Sequence, residues 1–403
     1  MIPKFVRKKF AGVQQPLGRW ILRHVVEFIV LSPAILITWL WLKIRHKEVL
    51  LVGVNSSSIT AFIMPLEVAL RRRISAGVDT DALLVLNLSA DANTQIRKMY
   101  DRVASIFGAE SRLRRRIIWW SSKLGGFQLP KIDILDAQED EQWHVGQPIV
   151  SLSKEELERG DLFLRSQGII PGTNLVCYAT RSSSYYEKLL QSGVDLKPRN
   201  IRNPDENIYF EVSDALATRG SHVFRMGKHL GETIPDDRKS AITDYASSLR
   251  SDFLDVYLLF RCNYLINGST GIVSIRAMFN LPSLNSDFYR LHKNWFKGDI
   301  ALFQKVWLVR ENRLATVGEM VAIGDSFSDE RHQERLGVRL VKNTAEEILA
   351  ACDEMEARLN GTWVTTEEDE ILQKKYWDLI CDSGHHGGRI GAQFLRDNQD
   401  LLR

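Results

Sequence analysis

A chain of 403 residues with 44% apolar and 26% charged content can bury one large core or two ordinary ones, which excludes a disordered or fibrous protein. A formal charge of +3 is too small to argue for a nucleic-acid partner. The cysteines Cys177, Cys262, Cys352 and Cys381 lie far apart with no CxxC pair, which argues against a disulfide framework or a zinc site and suits a reducing compartment.

Before Glu27 the chain carries Lys4, Arg7, Lys8, Lys9, Arg19 and Arg23 and no acid, and Phe28 to Leu42 is apolar apart from Ser32 and Thr38. With Val25 and Val26 this gives about 18 residues, at the short end of what spans roughly 30 Å of hydrocarbon. Trp39 and Trp41 fit an interfacial belt, while Lys43, Arg45 and Lys47 make the second flank basic too, so the positive-inside rule gives no orientation. Three readings stay open: an in-plane helix bent at Pro33 with both ends cytosolic and its basic residues on anionic lipid, a single span, and a buried core helix. No small-x-small site follows the apolar run, which argues against a cleaved signal peptide.

From residue 48 the pattern changes to strand, turn and helix. Val49 to Val54 reads as a buried parallel strand, Ile59 to Arg73 as an amphipathic helix, Ala82 to Leu88 as a second strand and Gln95 to Gly108 as a second helix. Ile117 with Ile118, and Lys131 to Leu135, read as further short strands. This is an α/β unit of Rossmann type, without the GxGxxG turn of a dinucleotide site. Asp79, Thr80 and Asp81 match the Asp-x-Asp pattern of metal-dependent sugar transferases, but they precede their strand instead of following it, so a loop cap is the simpler reading. Ser153 and Glu156 make a capping box opening a helix that Gly160 should end, and the domain boundary is expected just beyond, at 165/166.

Leu175 to Ala179 is a strand that runs into Arg181, with Tyr186 on the helix expected next. Arg202 and Asn203 sit in a polar loop before the helix Glu206 to Arg219, and the strand His222 to Phe224 is followed by Arg225 and Lys228. After the helix beginning at Asp252, Tyr264 to Ile266 is a strand that breaks into Gly268, Ser269, Thr270 and Gly271. A helix starting near Gly271 would aim unpaired N–H groups and a positive dipole end at whatever lies in front of it. Two strands ending in arginine and a third ending in this turn would bring guanidinium groups and a helix N-terminus to one crevice, which fits a diphosphate. Asp244 and Asp255 are candidates to orient the arginines or to act as a base toward an acceptor hydroxyl. Val321 to Gly324 resembles one more strand, and Thr344 with Glu347 caps a helix ending near Asn360. His385 and His386 beside glycines read as a connection, not a metal site.

As an ordered set these residues resemble a family of bacterial glycosyltransferases encoded with surface-polysaccharide genes. The carriers are Arg181 with Tyr186, Arg202 with Asn203, VFRMGK from Val223, DYA from Asp244, SDFLDVYL from Ser251, INGSTG from Ile266, Pro282 with Asn285, and RIGAQFL from Arg389. The resemblance covers the chain from about Cys177 to its end, and the arginine and Ser/Thr-Gly turn are distantly similar to those of fucosyltransferases.

It implies a GT-B architecture: two Rossmann-like domains facing a cleft, here residues 48–165 for the acceptor and 166–403 for the donor; the segment 1–47 before them is expected to associate with a membrane on its own basic and apolar pattern, and it is where the chain is least typical of the family. It also implies a nucleotide-diphosphate sugar donor whose leaving group is stabilised without a bound metal; with the membrane segment, the expectation is transfer to a lipid-linked or growing glycan at the cytoplasmic face of the inner membrane. Arg181, Arg225, Asp244 and Asp255 would be the catalytic candidates. Lys228, Ser269, Thr270, Gly271, Asn203, Tyr186 and Asn285 would bind the donor, and the last helix would cross back onto the N-terminal domain. The alternative is a non-catalytic glycan- or nucleotide-binding component of a polysaccharide assembly complex.

Overall fold

The structure, a computed structural model, describes residues 17–44, 48–52, 58–78, 83–87, 91–107, 112–124, 140–181, 205–227, 233–238, 241–291, 296–324, 330–380 and 387–403. The first element, α1 (Leu17–Ile44), is one 28-residue helix that runs through Pro33. Its segment His24–Ile44 is long and apolar enough to cross a membrane.

The aliphatic runs EVLLV and LLVLN form β1 (Glu48–Val52) and β2 (Leu83–Asn87), joined through α2 (Ile59–Ser75). Next come α3 (Thr94–Tyr100) and β3 (Ser105–Phe107), so the helix expected up to Gly108 ends early. The chain there returns to pair with β2, giving a parallel sheet in the order β1-β2-β3. Ile117 and Ile118 are not a strand: they lie in α4 (Arg112–Lys123), where the Trp120 ring stacks edge-on to Phe28 of α1 at 5.1 Å. The strand expected at 131–135 and the Asp79–Asp81 pattern fall outside the described residues.

After α5 (Glu141–Val145) comes α6 (Lys154–Ser166), opened by the expected Ser153–Glu156 capping box. Gly160 does not end α6. It lies inside the helix because Tyr257 packs against it: a Cβ there would sit 2.0 Å from Tyr257 Cε2.

The second half contains β4 (Leu175–Ala179), α7 (Glu206–Thr218), β5 (His222–Met226), β6 (Ile242–Thr243), α8 (Tyr245–Ser248) and α9 (Asp252–Arg261). Then follow β7 (Tyr264–Gly268), α10 (Val273–Met278), β8 (Ser283–Phe288), β9 (Ile300–Phe303), β10 (Lys305–Leu308) and β11 (Arg313–Leu314). The strand expected at Val321–Gly324 is instead α11 (Val317–Ile323), because Thr316 and Glu319 form a complete capping box. The chain ends with α12 (Glu330–Leu336), β12 (Val338–Val341), α13 (Ala345–Leu359), α14 (Glu367–Ile380), β13 (Arg389–Ile390) and α15 (Ala392–Asp397).

Among the described residues β6-β5-β4-β7-β8-β9-β13 form one sheet in which every pairing is parallel. Residues in β4 alternate between two cores. Leu175, Cys177 and Ala179 face one shared with α9 and α10, and Val176 and Tyr178 face one shared with α7, α13 and α14. A strand covered on both faces has to be apolar throughout, which LVCYA is. The terminal RIGAQFL does not cross to the first half. Arg389 and Ile390 extend the large sheet beside β9, and α15 packs on α13 and α14.

The halves meet in one continuous core that joins Phe62, Ile96 and Tyr100 to Val256, Ile275 and Phe279. Thr60 bonds to Gly271 and Arg71 to Asn280, so α2 lies parallel beside α10. Helices that leave the carboxyl ends of both sheets thus start side by side, and both edges open on the same side of the molecule. At this interface the halves are packed together.

Candidate active site

From β4 the chain moves outward through β5 to β6, then returns to place β7 on the opposite flank of β4. That reversal makes the carboxyl ends of β4 and β7 the topological switch point, where open parallel sheets leave a crevice for ligands. Arg181 follows β4 here, half-buried, and the Ser269–Gly271 turn follows β7. Topology therefore brings these two sequence candidates to adjacent strand ends.

The turn is fixed from behind. Asn267 Oδ1 accepts from the Thr270 amide at 3.0 Å and the Thr270 hydroxyl at 2.7 Å, and Ser269 takes a left-handed conformation at φ 60°. Asn267 Nδ2 donates to Asn285 Oδ1 at 2.9 Å, Asn285 Nδ2 donates to Asp299 Oδ2 at 3.0 Å, and Asp299 Oδ1 receives the Ser283 amide at 2.7 Å. Asn285 is thus the middle of a buried polar ladder from β7 through β8 to Asp299 just before β9, and its amide group bonds to Asn267 and Asp299. Thr60 from the first half donates to the Gly271 carbonyl at 3.0 Å and accepts from the Ser274 hydroxyl at 3.0 Å. The helix that follows starts at Val273, two residues later than expected: α10 has six residues, and no side chain caps it.

Arg225 lies within β5, not beyond it, and is 1% exposed. Glu206 Oε1 and Oε2 receive its Nε at 2.8 Å and Nη2 at 3.0 Å, and Asp244 Oδ1 receives Nη1 at 3.3 Å. Burial is the largest influence and opposes the charge, but the Glu206 bonds together with the electrostatic attraction of Glu206, Tyr178 and Asp244 outweigh it and hold the guanidinium above its usual pKa. The expected phosphate ligand is therefore engaged by two carboxylates. A diphosphate reaching it would have to displace one of them, and Glu206, 28% exposed, is the more accessible.

Asp255 belongs to a different cluster. It receives Tyr245 Oη at 2.9 Å and Arg250 Nη2 at 2.6 Å, and Asn93 Nδ2 approaches from the first half at 3.5 Å. Burial raises its carboxyl to a pKa of about 6 against the pull of Arg250. Next to it Asp252 Oδ2 receives the Thr94 amide at 2.8 Å and the Thr94 hydroxyl at 2.7 Å, so an acid in the second half caps α3 in the first. An open groove of about 680 Å³ runs beside this junction, with Gln95, Arg159, Phe163 and Phe253 among its lining residues. Lys228, Asn203 and Tyr186 lie outside the described residues, as do His385 and His386.

Several residues at the strand ends were not found from sequence. Glu206 is a helix N-terminal acid like many others until Arg225 is seen against it. Asp287, at the end of β8, is buried with φ 54°, and it exchanges bonds with Asn343: its amide donates at 2.7 Å, and its Oδ1 receives the Asn343 amide at 2.8 Å. Ser269 and Asp287 thus place left-handed residues at neighbouring strand ends, a kind of backbone strain that clusters at functional sites. Only Ser269 carried a sequence signal, through the glycines around it.

No protein-family profile and no curated protein sequence matches the chain. Among solved structures it is similar to the E. coli ADP-heptose lps heptosyltransferase II, at 12% identity over 59% of this chain and 84% of that one, with a TM-score of 0.40. It is also similar to the E. coli heptosyltransferase WaaC with ADP, at 9% identity over 64% and 90%, TM-score 0.31. A glycosyl transferase family 9 structure from Veillonella parvula shares 14% identity over 59% and 66%, TM-score 0.31. These are loose likenesses, and the functional reading rests on the chain's own residues.

Proposed function

We propose that the protein is a glycosyltransferase that takes a sugar from a nucleotide-diphosphate donor, with the diphosphate lying outside the carboxyl ends of β4 and β7. The observation behind this reading is the placement of Arg181 and the Ser269–Gly271 turn at the switch point of the parallel sheet. Arg181 would pair with diphosphate oxygens, and the turn, held by Asn267 and Thr60, would present backbone donors. Lys228, Asn203 and Tyr186 would join from the segments after β5 and β4. An acceptor hydroxyl attacks the anomeric carbon as its proton passes to a carboxylate, Asp244 being the candidate base here, the bond from that carbon to the phosphate oxygen breaks, and negative charge grows on the leaving diphosphate. Fixed cationic and N–H groups lower the barrier by stabilising that charge, without a metal being required. Arg225 would act through Glu206 and Asp244 by fixing their position, and Asp244 or Glu206 would be nearer the donor than Asp255. The acceptor would be a lipid-linked or growing glycan, reached at the cytoplasmic membrane face through the exposed apolar side of α1.

Binding tests this reading first. A thermal-shift panel of nucleoside diphosphates and nucleotide sugars, in EDTA and then with magnesium, should show one base stabilising the protein in EDTA. A ligand at a hundred times its Kd contributes about 2.7 kcal/mol. Silence across the panel with folded protein would remove the donor site, and a response only with magnesium would remove the metal-free mechanism.

A further inference from the structure

The route by which α1 meets a membrane is written in its contacts with α4. Arg116 of α4 pairs with Glu27 of α1, Trp120 meets Phe28, and the Ser121 hydroxyl donates to the Ile35 carbonyl at 2.9 Å. These contacts extend over nine residues of α1, Glu27 to Ile35, about 12 Å of its length. Ile35 and Leu42 are fully buried on that side. The opposite side is apolar and bare: Val26, Ile29, Val30, Ile37, Leu40 and Ile44 are all exposed, Ile37 by 70%.

A transmembrane α1 would put Glu27 to Ile35 inside the hydrocarbon and draw α4 in with it. That helix carries Arg112, Arg114, Arg115, Arg116 and Lys123 and no acid, and charged side chains at that depth are costly. An in-plane α1 meets no such penalty. Its bare side enters the acyl boundary, while the basic helix beside it stays at the level of anionic headgroups.

We infer that α1 lies in the plane of an anionic leaflet with α4 alongside as a second, basic contact, so that both ends of α1 stay on one side of the membrane. This rests on the membrane association proposed above and gives it a geometry. Lys43, exposed at the helix end, adds to the positive rim.

The test uses the full chain with Cys381 replaced by serine, Cys177, Cys262 and Cys352 being buried, and with one new cysteine at Val26, Ile37 or Ile44, labelled with the fluorophore NBD and bound to vesicles of phosphatidylcholine with phosphatidylglycerol. Val26 and Ile44 are 18 residues apart, about 27 Å along a helix. Lying in plane, all three labels are quenched to similar extents by shallow nitroxide lipids and all are reduced by external dithionite. Binding also weakens about tenfold or more on neutral vesicles. A spanning helix gives deepest quenching at Ile37 and leaves one end shielded from dithionite, which would overturn the in-plane geometry while keeping membrane association. Failure to bind vesicles, with α1 covered instead by a second copy in a soluble dimer, would overturn both. Nucleotide binding in the thermal-shift panel is independent of either result, so the donor site is judged separately.

Discussion

Burial holds Asp255 near a pKa of 6, ahead of the opposing pull of Arg250, against the 3.8 usual for an aspartate. Between those values the folded protein binds more protons at this site than the unfolded chain, so stability falls as pH rises from about 4 to about 6. Two units correspond to about 3 kcal/mol at most. In urea titrations, the wild type should lose up to that amount relative to Asp255→Asn across this window, and a constant difference between the two would contradict the assignment. The sequence showed a carboxylate at this position but not its partners, because Asn93 lies 162 residues away and only the fold brings it near. Arg225 was misplaced for a local reason. The strand read as His222 to Phe224 continues to Met226, which carries the arginine into the sheet and against Glu206.

At the scale of elements, Gly160 separates two opposing effects. An alanine in a helix interior is favoured over glycine by about 1 kcal/mol. Here its methyl would overlap the Tyr257 ring, and overpacking of this kind costs about 1–3 kcal/mol. Gly160→Ala should therefore lower the denaturation midpoint, and a stabilised variant would show that α6 and α9 can move apart. Reading Gly160 as a helix stop was reasonable from sequence, since close approach and termination leave the same residue. The strands of the large sheet were legible because runs such as LVCYA are apolar on both faces. Helix α4 was not, since Ile117 and Ile118 read as a short strand until α1 supplies the surface that Arg116, Trp120 and Ser121 pack against.

For the whole molecule, a repeating strand-and-helix pattern made two α/β halves visible, whereas their relation depended on contacts no local pattern encodes. Thr60 with Gly271 and Asp252 with Thr94 tie together residues 211 and 158 positions apart, and they set both carboxyl edges to one side. Such coupling makes the turn after β7 a shared product of the two halves, with Arg181 the cation beside it. The chemistry proposed at that point is sugar transfer. Its most direct test is the transfer of labelled sugar from a panel of nucleotide sugars to bacterial envelope lipid and glycan acceptors, with wild type and Arg181→Ala assayed side by side. The expected result is product from one donor with the wild type and at least about a hundredfold less with the variant at unchanged melting temperature, the scale of losing a charge-stabilising group. Equal rates for the two proteins would contradict the site, and a donor that binds but never turns over would make the protein a non-catalytic binder.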